Sequence, residues 1–457
     1  MNKNTTIGFV LMALVLIGFS YFNQPNKEEQ AAQKKQDSIA TVMKSQAAKA
    51  HQVAQAQHKA EAQAAAQGDT TALFYPALNG KSTTIVLQNK YLALSLDTKG
   101  GVVRKAVIKN FKDRKGNKNV TLFDEKDQNM NFMLSGKESN IITNDLYFTP
   151  SQVTDSTVTM TAMANNGGSI ALKYTLGGDY LLHMSMTVKG LSGQFAPNMK
   201  EMDINWTDHC RQQEAGFTFE NNNSRLTYKE NDGSTDHLSE NSEKIDEPAD
   251  EALDWVAFKN QFFCAVLISK DNFSKGGLLT SVPEKKGGGY LKHYEAKLKT
   301  AFDPNGAQSS DFEMYIGPND FRKLQSVEKE SRFGKNLDMQ QLVYLGWPLF
   351  RIINRWFTLY VFDGLTSLGI NMGIVLILIT LLLKALTYPL VKKSYMSSAK
   401  MRVLKPKLDE ATKQYDKPED QMKKQQEMMS LYSKYGVSPL SGCLPMLIQM
   451  PIWIAMF

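Results

Sequence analysis

The chain has only three cysteines in 457 residues, Cys210, Cys264 and Cys443, and none forms a C-x-x-C pair. That excludes a disulfide scaffold and a cysteine zinc cluster. Six histidines, His51, His58, His183, His209, His237 and His293, are scattered without metal-ligand spacing. There is no H-E-x-x-H, no G-x-x-x-x-G-K-[ST], no G-x-S-x-G and no G-x-G-x-x-G opening a helix. The patterns that mark zinc proteases, P-loop enzymes, serine hydrolases and dinucleotide binders are therefore missing. No catalytic residue, metal or cofactor is expected. The glycine runs Gly276-Gly277 and Gly287-Gly288-Gly289 read as turns rather than phosphate cradles. A mean hydropathy of −0.34 is too polar for a chain lying mostly in a bilayer. Conversely, 42% hydrophobic and 22% charged residues exclude wholesale disorder.

What is present is unevenly placed. The net charge of +7 comes from 53 basic against 46 acidic residues, yet residues 23–340 balance almost exactly in sign. The excess lies between Lys392 and Lys434, where 11 Lys and Arg face six acids, Asp409, Glu410, Asp416, Glu419, Asp420 and Glu427. A basic segment beside an apolar span marks the cytoplasmic flank of a membrane helix better than a nucleic-acid site.

Seven segments follow from composition and period. Residues 1–22 contain the uncharged run Thr5 to Phe22, ~27 Å as a helix, which reads as an uncleaved transmembrane anchor with its N-terminus inside. Residues 23–72 form a spacer rich in Ala, Gln and Lys, with no apolar stripe to bury. Residues 73–336 carry short alternating runs, among them Tyr91–Asp97, Thr157–Thr161 and Ser169–Leu176. The turn Gly177-Gly178-Asp179 then leads into Tyr180–Val188, which predicts an antiparallel β-sandwich. Within it Glu220–Asp254, with eleven acids and three bases, reads as a long solvated loop. Over 337–369, Leu342, Leu345, Leu349, Ile352, Ile353, Trp356 and Phe357 share one helical face opposite Arg351, Asn354 and Arg355, the pattern of an interfacial helix. Residues 370–391 are a transmembrane helix, ~33 Å long.

Residues 392–436 then predict an antiparallel two-helix hairpin. Met401, Leu404, Leu408, Ala411 and Tyr415 form one stripe, with Met428, Leu431 and Tyr435 in the other and Leu404, Leu408 and Leu431 holding the pair. Pro406 should kink or start the first helix. Residues 437–457 begin a further apolar helix at Leu444.

One residue stands where it costs free energy. Lys384 lies eight positions before Lys392, ~12 Å deeper along the helix axis. A lysine at the bilayer centre costs ~2.5–3.5 kcal/mol on insertion scales. Snorkelling covers only part of that depth. The alternative is a cation in a water-filled cavity. Pro389 removes the hydrogen bond to the Ala385 carbonyl beside it, and Thr380 lies one turn earlier on the same face.

The residues Ile379–Leu390, the following Lys392–Arg402, and Ser438-Pro439-Leu-Ser-Gly442-Cys443-Leu-Pro445 through Gln449-Met450-Pro451 closely resemble the YidC-type insertases of the Oxa superfamily. So do Trp255–Phe263 and Tyr315-Ile-Gly-Pro318. The resemblance implies a multi-domain membrane protein: an N-terminal anchor, a periplasmic β-supersandwich, and an α-helical insertase core with a cytoplasmic hairpin. It implies a hydrophilic groove open to cytoplasm and lipid, lined by Lys384, Thr380, Met450 and Pro451, with Lys384 where most bacterial members carry arginine. Charge is kept, while the bidentate guanidinium contact is lost. The family core has five transmembrane helices, so the sequence looks like an insertase truncated within its third.

By that resemblance the function is an energy-independent insertase and chaperone of the bacterial inner membrane. Its partners are nascent membrane proteins and the lipid bilayer, with the Sec translocon and the ribosome as further ones and no nucleic acid. The competing reading is a membrane-tethered carbohydrate-active β-sandwich enzyme. It would need paired carboxylates, for which Glu201, Asp203 and Asp208 are the candidates.

Overall fold

The computed structural model describes residues 72–231, 233, 235–239, 245–344, 351, 353–413, 420–435, 450 and 452. The expected anchor and most of the spacer, the hairpin tip and most of 437–457 lie outside them. The chain divides into two compact units, Met1–Leu342 and Val343–Phe457.

Period-two alternation builds the first unit. Leu92–Asp97 and Gln128–Ser135 bury every second side chain, as a strand with one face on a core must. Thr84–Gln88, Leu92–Asp97, Val102–Lys112 and Asn119–Phe123 form a four-stranded sheet in sequence order, and the remaining strands form a 15-stranded sheet. Its middle runs Glu201–Arg211, Tyr290–Ala301, Phe263–Phe273, Ser310–Pro318, Leu181–Lys189 and Ser169–Leu176. These neighbours pair antiparallel. The expected turn at Gly177–Asp179 joins the last two. Gly287 and Gly289, with φ of 99° and 83°, supply the left-handed residues of another tight connection. Aromatic side chains fill the core: the Trp206 ring stacks on Phe258 at 3.8 Å, and Phe258 lies 5.3 Å from Tyr294.

The segment expected to be a solvated loop is different. Helix α1, Phe217–Asn222, is followed by the strand Arg225–Glu230, which pairs with Leu253–Lys259 on one side and Thr235–His237 on the other. Leu226, Thr227, Tyr228 and Lys229 are buried. Polarity misled because three of the charges, Glu220, Lys229 and Asp254, are internal and satisfied. Glu220 accepts from the Gln213 amide at 2.9 Å, and Lys229 pairs with Asp254 at 2.5 Å.

After Ser310–Pro318 comes helix α2, Phe321–Glu330, capped by the Asp320 carboxylate, which accepts from the Lys323 amide. The chain then crosses the sheet as a strap. Arg332 donates its amide to Glu313, the Trp255 indole donates to the Leu337 carbonyl at 2.7 Å, and buried Lys259 donates to the Leu342 carbonyl at 2.8 Å. Two residues of the Trp255–Phe263 motif thus fix the point where the chain leaves the sandwich.

In the second unit, Asn354–Thr358 forms a π-helical turn in which the Leu359 amide donates to the Asn354 carbonyl, and helix α3, Leu359–Thr366, continues from it. Residues 345–350 and 352 of the expected interfacial face lie outside the described residues. Helix α4, Met372–Thr412, is one continuous helix of 41 residues. The sequence divides this stretch at Lys392 and expects a break or kink at Pro406. The helix does not start anew at Pro406: it passes through Pro389 and Pro406, each of which removes one donor from the ladder. Helix α5, Gln421–Lys434, packs against it.

Candidate functional site

The candidate site sits on α4. Its start is set by Asn371, whose side chain accepts from the Gly373 amide at 2.9 Å. Met372–Pro389 is, among the described residues, the one helix long and apolar enough to cross a membrane. One narrow stripe of it is buried: Val375, Ile379 and Leu383 pack with Phe357, Val361, Phe362, Leu365, Ile370 and Ile452. The i, i+4, i+8 spacing aligns these three. Thr387 extends the stripe by one turn and is itself buried. Around the rest, Ile374, Leu376, Ile377, Leu381, Leu382 and Leu386 are exposed, which water would penalise and lipid would not.

Lys384 stands among those exposed apolar residues. Thr380, half-buried one turn earlier, donates its hydroxyl to the Leu376 carbonyl at 2.8 Å, and Tyr388, one turn later, is exposed. Pro389 offers no N–H to the preceding turn. There Thr387 donates to the Leu383 carbonyl at 2.8 Å and reaches the Lys384 carbonyl at 3.3 Å. Thr387 is the residue that sequence reasoning missed; its place four residues after Leu383 was the available signal. A hydroxyl, an ammonium and a phenol at one-turn spacing, Thr380, Lys384 and Tyr388, thus lie along the apolar stretch Met372–Pro389.

The other expected groove residues fall out differently. Met450 is exposed and Pro451 lies outside the described residues. Of the hairpin residues, Leu404 and Leu408 are buried on α4 and Leu431 is half-buried on α5. The Lys407 ammonium lies 5.8 Å from the centre of the Tyr435 ring, a contact between the same two helices.

The three carboxylates of the sugar-enzyme reading do not meet on one face. Strand alternation puts Glu201 and Asp203 on one face of Glu201–Arg211 and Asp208 on the other. Asp208 is buried, and burial, with the nearby Asp127 charge, pushes its pKa well up. Glu201 accepts from the Ser274 hydroxyl and Asp203 lies 4.0 Å from Lys299. Among the described residues no group of three or more His, Cys, Asp or Glu could hold a metal.

Comparison with known proteins bears on both units. Residues 84–360 match the family described as the YidC periplasmic domain, and residues 364–457 the family described as 60Kd inner membrane protein. The membrane protein insertase YidC of Phocaeicola vulgatus is 48% identical over 459 residues, covering all of this chain and 73% of that protein. The Bacteroides fragilis protein of the same name is 44% identical over 460 residues, with the same coverage. Among solved structures, an active YidC insertase with its first transmembrane domain resolved covers 83% of this chain and 71% of its own at 19% identity, with a TM-score of 0.30. A galactose mutarotase-like protein from Lactobacillus casei covers 51% of this chain and 100% of its own at 14% identity, with a TM-score of 0.34. Neither likeness bears on activity.

Proposed function

Since the chain belongs to the YidC family of membrane protein insertases, inner-membrane proteins with a periplasmic domain that act on nascent membrane proteins, we propose that the Lys384 face of α4 is where a client segment is received. The protein inserts membrane proteins and is not an enzyme. The observation that supports this site is Lys384 itself, an exposed ammonium in the middle of an apolar helix, flanked by Thr380 and Tyr388 at one-turn spacing.

The mechanism follows from differential solvation. A polar strip lined by Lys384 and Thr380 shortens the hydrocarbon barrier that a hydrophilic flank must cross. The ammonium attracts acidic flanks, and attraction is strongest where water is partly excluded. The apolar side chains beside it match the client helix, which then leaves sideways into lipid. Met450 and Pro451 belong to the same groove in this reading. No bond is made or broken, so no nucleophile or base is called for.

The topology that goes with it is multi-pass. The basic stretch Lys392–Lys434 and Lys3 lie in the cytoplasm, with Leu404, Leu408 and Leu431 ordering a hairpin there. The ribosome would approach that basic side, and the Sec translocon would share clients with large translocated parts. A cysteine introduced at Ser397 should resist labelling from outside intact cells; labelling there would overturn the orientation.

The site itself is tested with two Sec-independent reporters that differ only in Asp or Asn before the inserted helix. Lys384→Arg should insert both. Lys384→Met should insert the Asp reporter far less than the Asn one, by about tenfold if roughly 1.4 kcal/mol of attraction is lost. Equal insertion of both reporters by Lys384→Met would remove the role assigned to Lys384.

A further inference from the structure

The sandwich's own motifs, Trp255–Phe263 and Tyr315–Pro318, play no part in the groove, yet they converge on one end of the domain. Asn260 accepts at its side chain from the amides of Phe262 and Phe263, at 3.0 and 2.7 Å. Asn319 donates to the carbonyls of Asn260 and Gln261, and its amide to that of Phe262. This clamp holds Phe262 outward on a rigid turn, 45% exposed. The Phe263 ring meets Phe111 edge-on at 5.3 Å. Phe111, 37% exposed, precedes the hairpin tip at 113–118. Helix α1 belongs to the same end: Arg225, just after it, pairs with Lys259, and Gln213, which donates its amide to Glu220, also donates its side chain to Thr121 of the hairpin's second strand. Phe219 of α1 is 62% exposed.

Phe262 and Phe219, with Phe111 partly exposed against Phe263, therefore bring three phenylalanines from three separate segments to one end, beside a tip carrying Arg114, Lys115 and Lys118, all exposed. The tip's one acid, Asp113, accepts from the Asn117 amide within the turn. Two exposed acids stand at the same end outside the tip, Glu214 before α1 and Asp320 at the cap of α2. Lys259 secures Leu342, the last residue of this unit, at the same end, and the apolar helix begins at Met372.

We propose that this end of the sandwich docks on the anionic phospholipid headgroups of the membrane in which the chain is embedded, with the phenylalanine tips entering the interfacial layer. Separated aromatic tips interleaved with Lys and Arg suit a fluid headgroup layer, in which each ring finds its own apolar depth. A protein partner would call for a contiguous apolar patch. The chain leaves the sandwich at Leu342 and reaches the apolar run from Met372 within 30 positions, a tether that keeps the headgroup layer within reach of the tip. The inference rests on the chain being membrane-embedded and not on the Lys384 groove.

The test uses the whole chain, with Cys443→Ser, in lipid nanodiscs. A fluorophore is placed on Asn117→Cys at the tip or, as a control, on Ala307→Cys in the exposed loop between the strands Tyr290–Ala301 and Ser310–Pro318. Headgroup-nitroxide lipid should quench the Asn117 probe at least about twofold more than the Ala307 probe in phosphatidylglycerol discs. The excess should shrink in phosphatidylcholine, in high salt, and in the Arg114→Glu, Lys115→Glu, Lys118→Glu chain. Equal quenching at the two positions overturns the proposal. So does an excess indifferent to lipid charge, salt and charge reversal together. Protection of Asn117 that appears only when other membrane proteins are co-reconstituted overturns it in favour of an acidic protein partner. Reporter insertion through Lys384 is read separately, so failure of one assignment leaves the other standing.

Discussion

Lysine behaves oppositely in the two units. In the sandwich Lys229 and Lys259 are buried, and each has its charge answered, by the Asp254 carboxylate and by the Leu342 carbonyl. In the helical unit Lys384 is exposed while leucines and isoleucines around it are exposed too. Leucine inverts in the same way: Leu87, Leu92, Leu94 and Leu96 are fully buried, whereas Leu376, Leu381 and Leu386 are not. One rule covers both units once the solvent is named. The sandwich hides apolar surface from water and must satisfy any charge it takes inside. In the proposed topology the helix shows apolar surface to hydrocarbon, and there the lone charge is the costly group.

The sharpest way to break that comparison is to make the same substitution in both units. Lys229→Leu leaves Asp254 buried with only Lys335, 3.8 Å away, and should cost the sandwich about 3–5 kcal/mol in denaturant unfolding followed by tryptophan fluorescence. Adding Asp254→Leu should recover much of the loss. Lys384→Leu should go the other way, favouring membrane residence of α4 by about 2.5–3.5 kcal/mol in an insertion assay, even as acidic-flanked clients suffer. A loss of membrane residence would contradict the solvent argument.

A smaller effect concerns Asp208, whose pKa burial raises well above the ordinary carboxylate value. A raised folded pKa means that this group's contribution is fully present below its unfolded value, about 3.9, and is lost as pH rises toward the folded one. Asp208→Asn should therefore remove part of the decline in sandwich stability above that pH and gain about 1–3 kcal/mol at neutrality, measured by urea unfolding across pH. An unchanged slope would mean that Asp208 is not the titrating group. The smallest expected change is Trp255→Phe, which keeps the ring packed and deletes its hydrogen bond to Leu337. It should cost about 1 kcal/mol and loosen the strap in amide exchange near Leu337.

Where one face of a segment meets water and the other a core, the sequence was readable. Ser169–Leu176 and its glycine turn are examples, because alternation is the direct imprint of a two-faced sheet. Arg225–Glu230 was not, since its buried Lys229 is paired across strands with Asp254, 25 positions on, and such pairing leaves no local period. The change of composition at Lys392 leaves no mark on the backbone, because a change of surrounding solvent does not interrupt the helix ladder. Within the candidate site, Lys384 was legible because a charge inside an apolar run is conspicuous. Thr387 was not, because a hydroxyl bonded to its own helix looks like any small residue in a stripe.

The unbroken backbone of α4 makes it a lever. Its 41 residues span ~60 Å, about twice the ~30 Å hydrocarbon thickness, so in the proposed topology roughly half its length stands in water. Leu404, Leu408 and the contact of Lys407 with Tyr435 lie on that outer arm. A tilt of ~10° about the membrane boundary would carry the arm's tip by ~5 Å, and the buried turns near Val375 would swing the other way. Anything that grips the arm from the aqueous side thereby gains mechanical advantage over the face that carries Lys384.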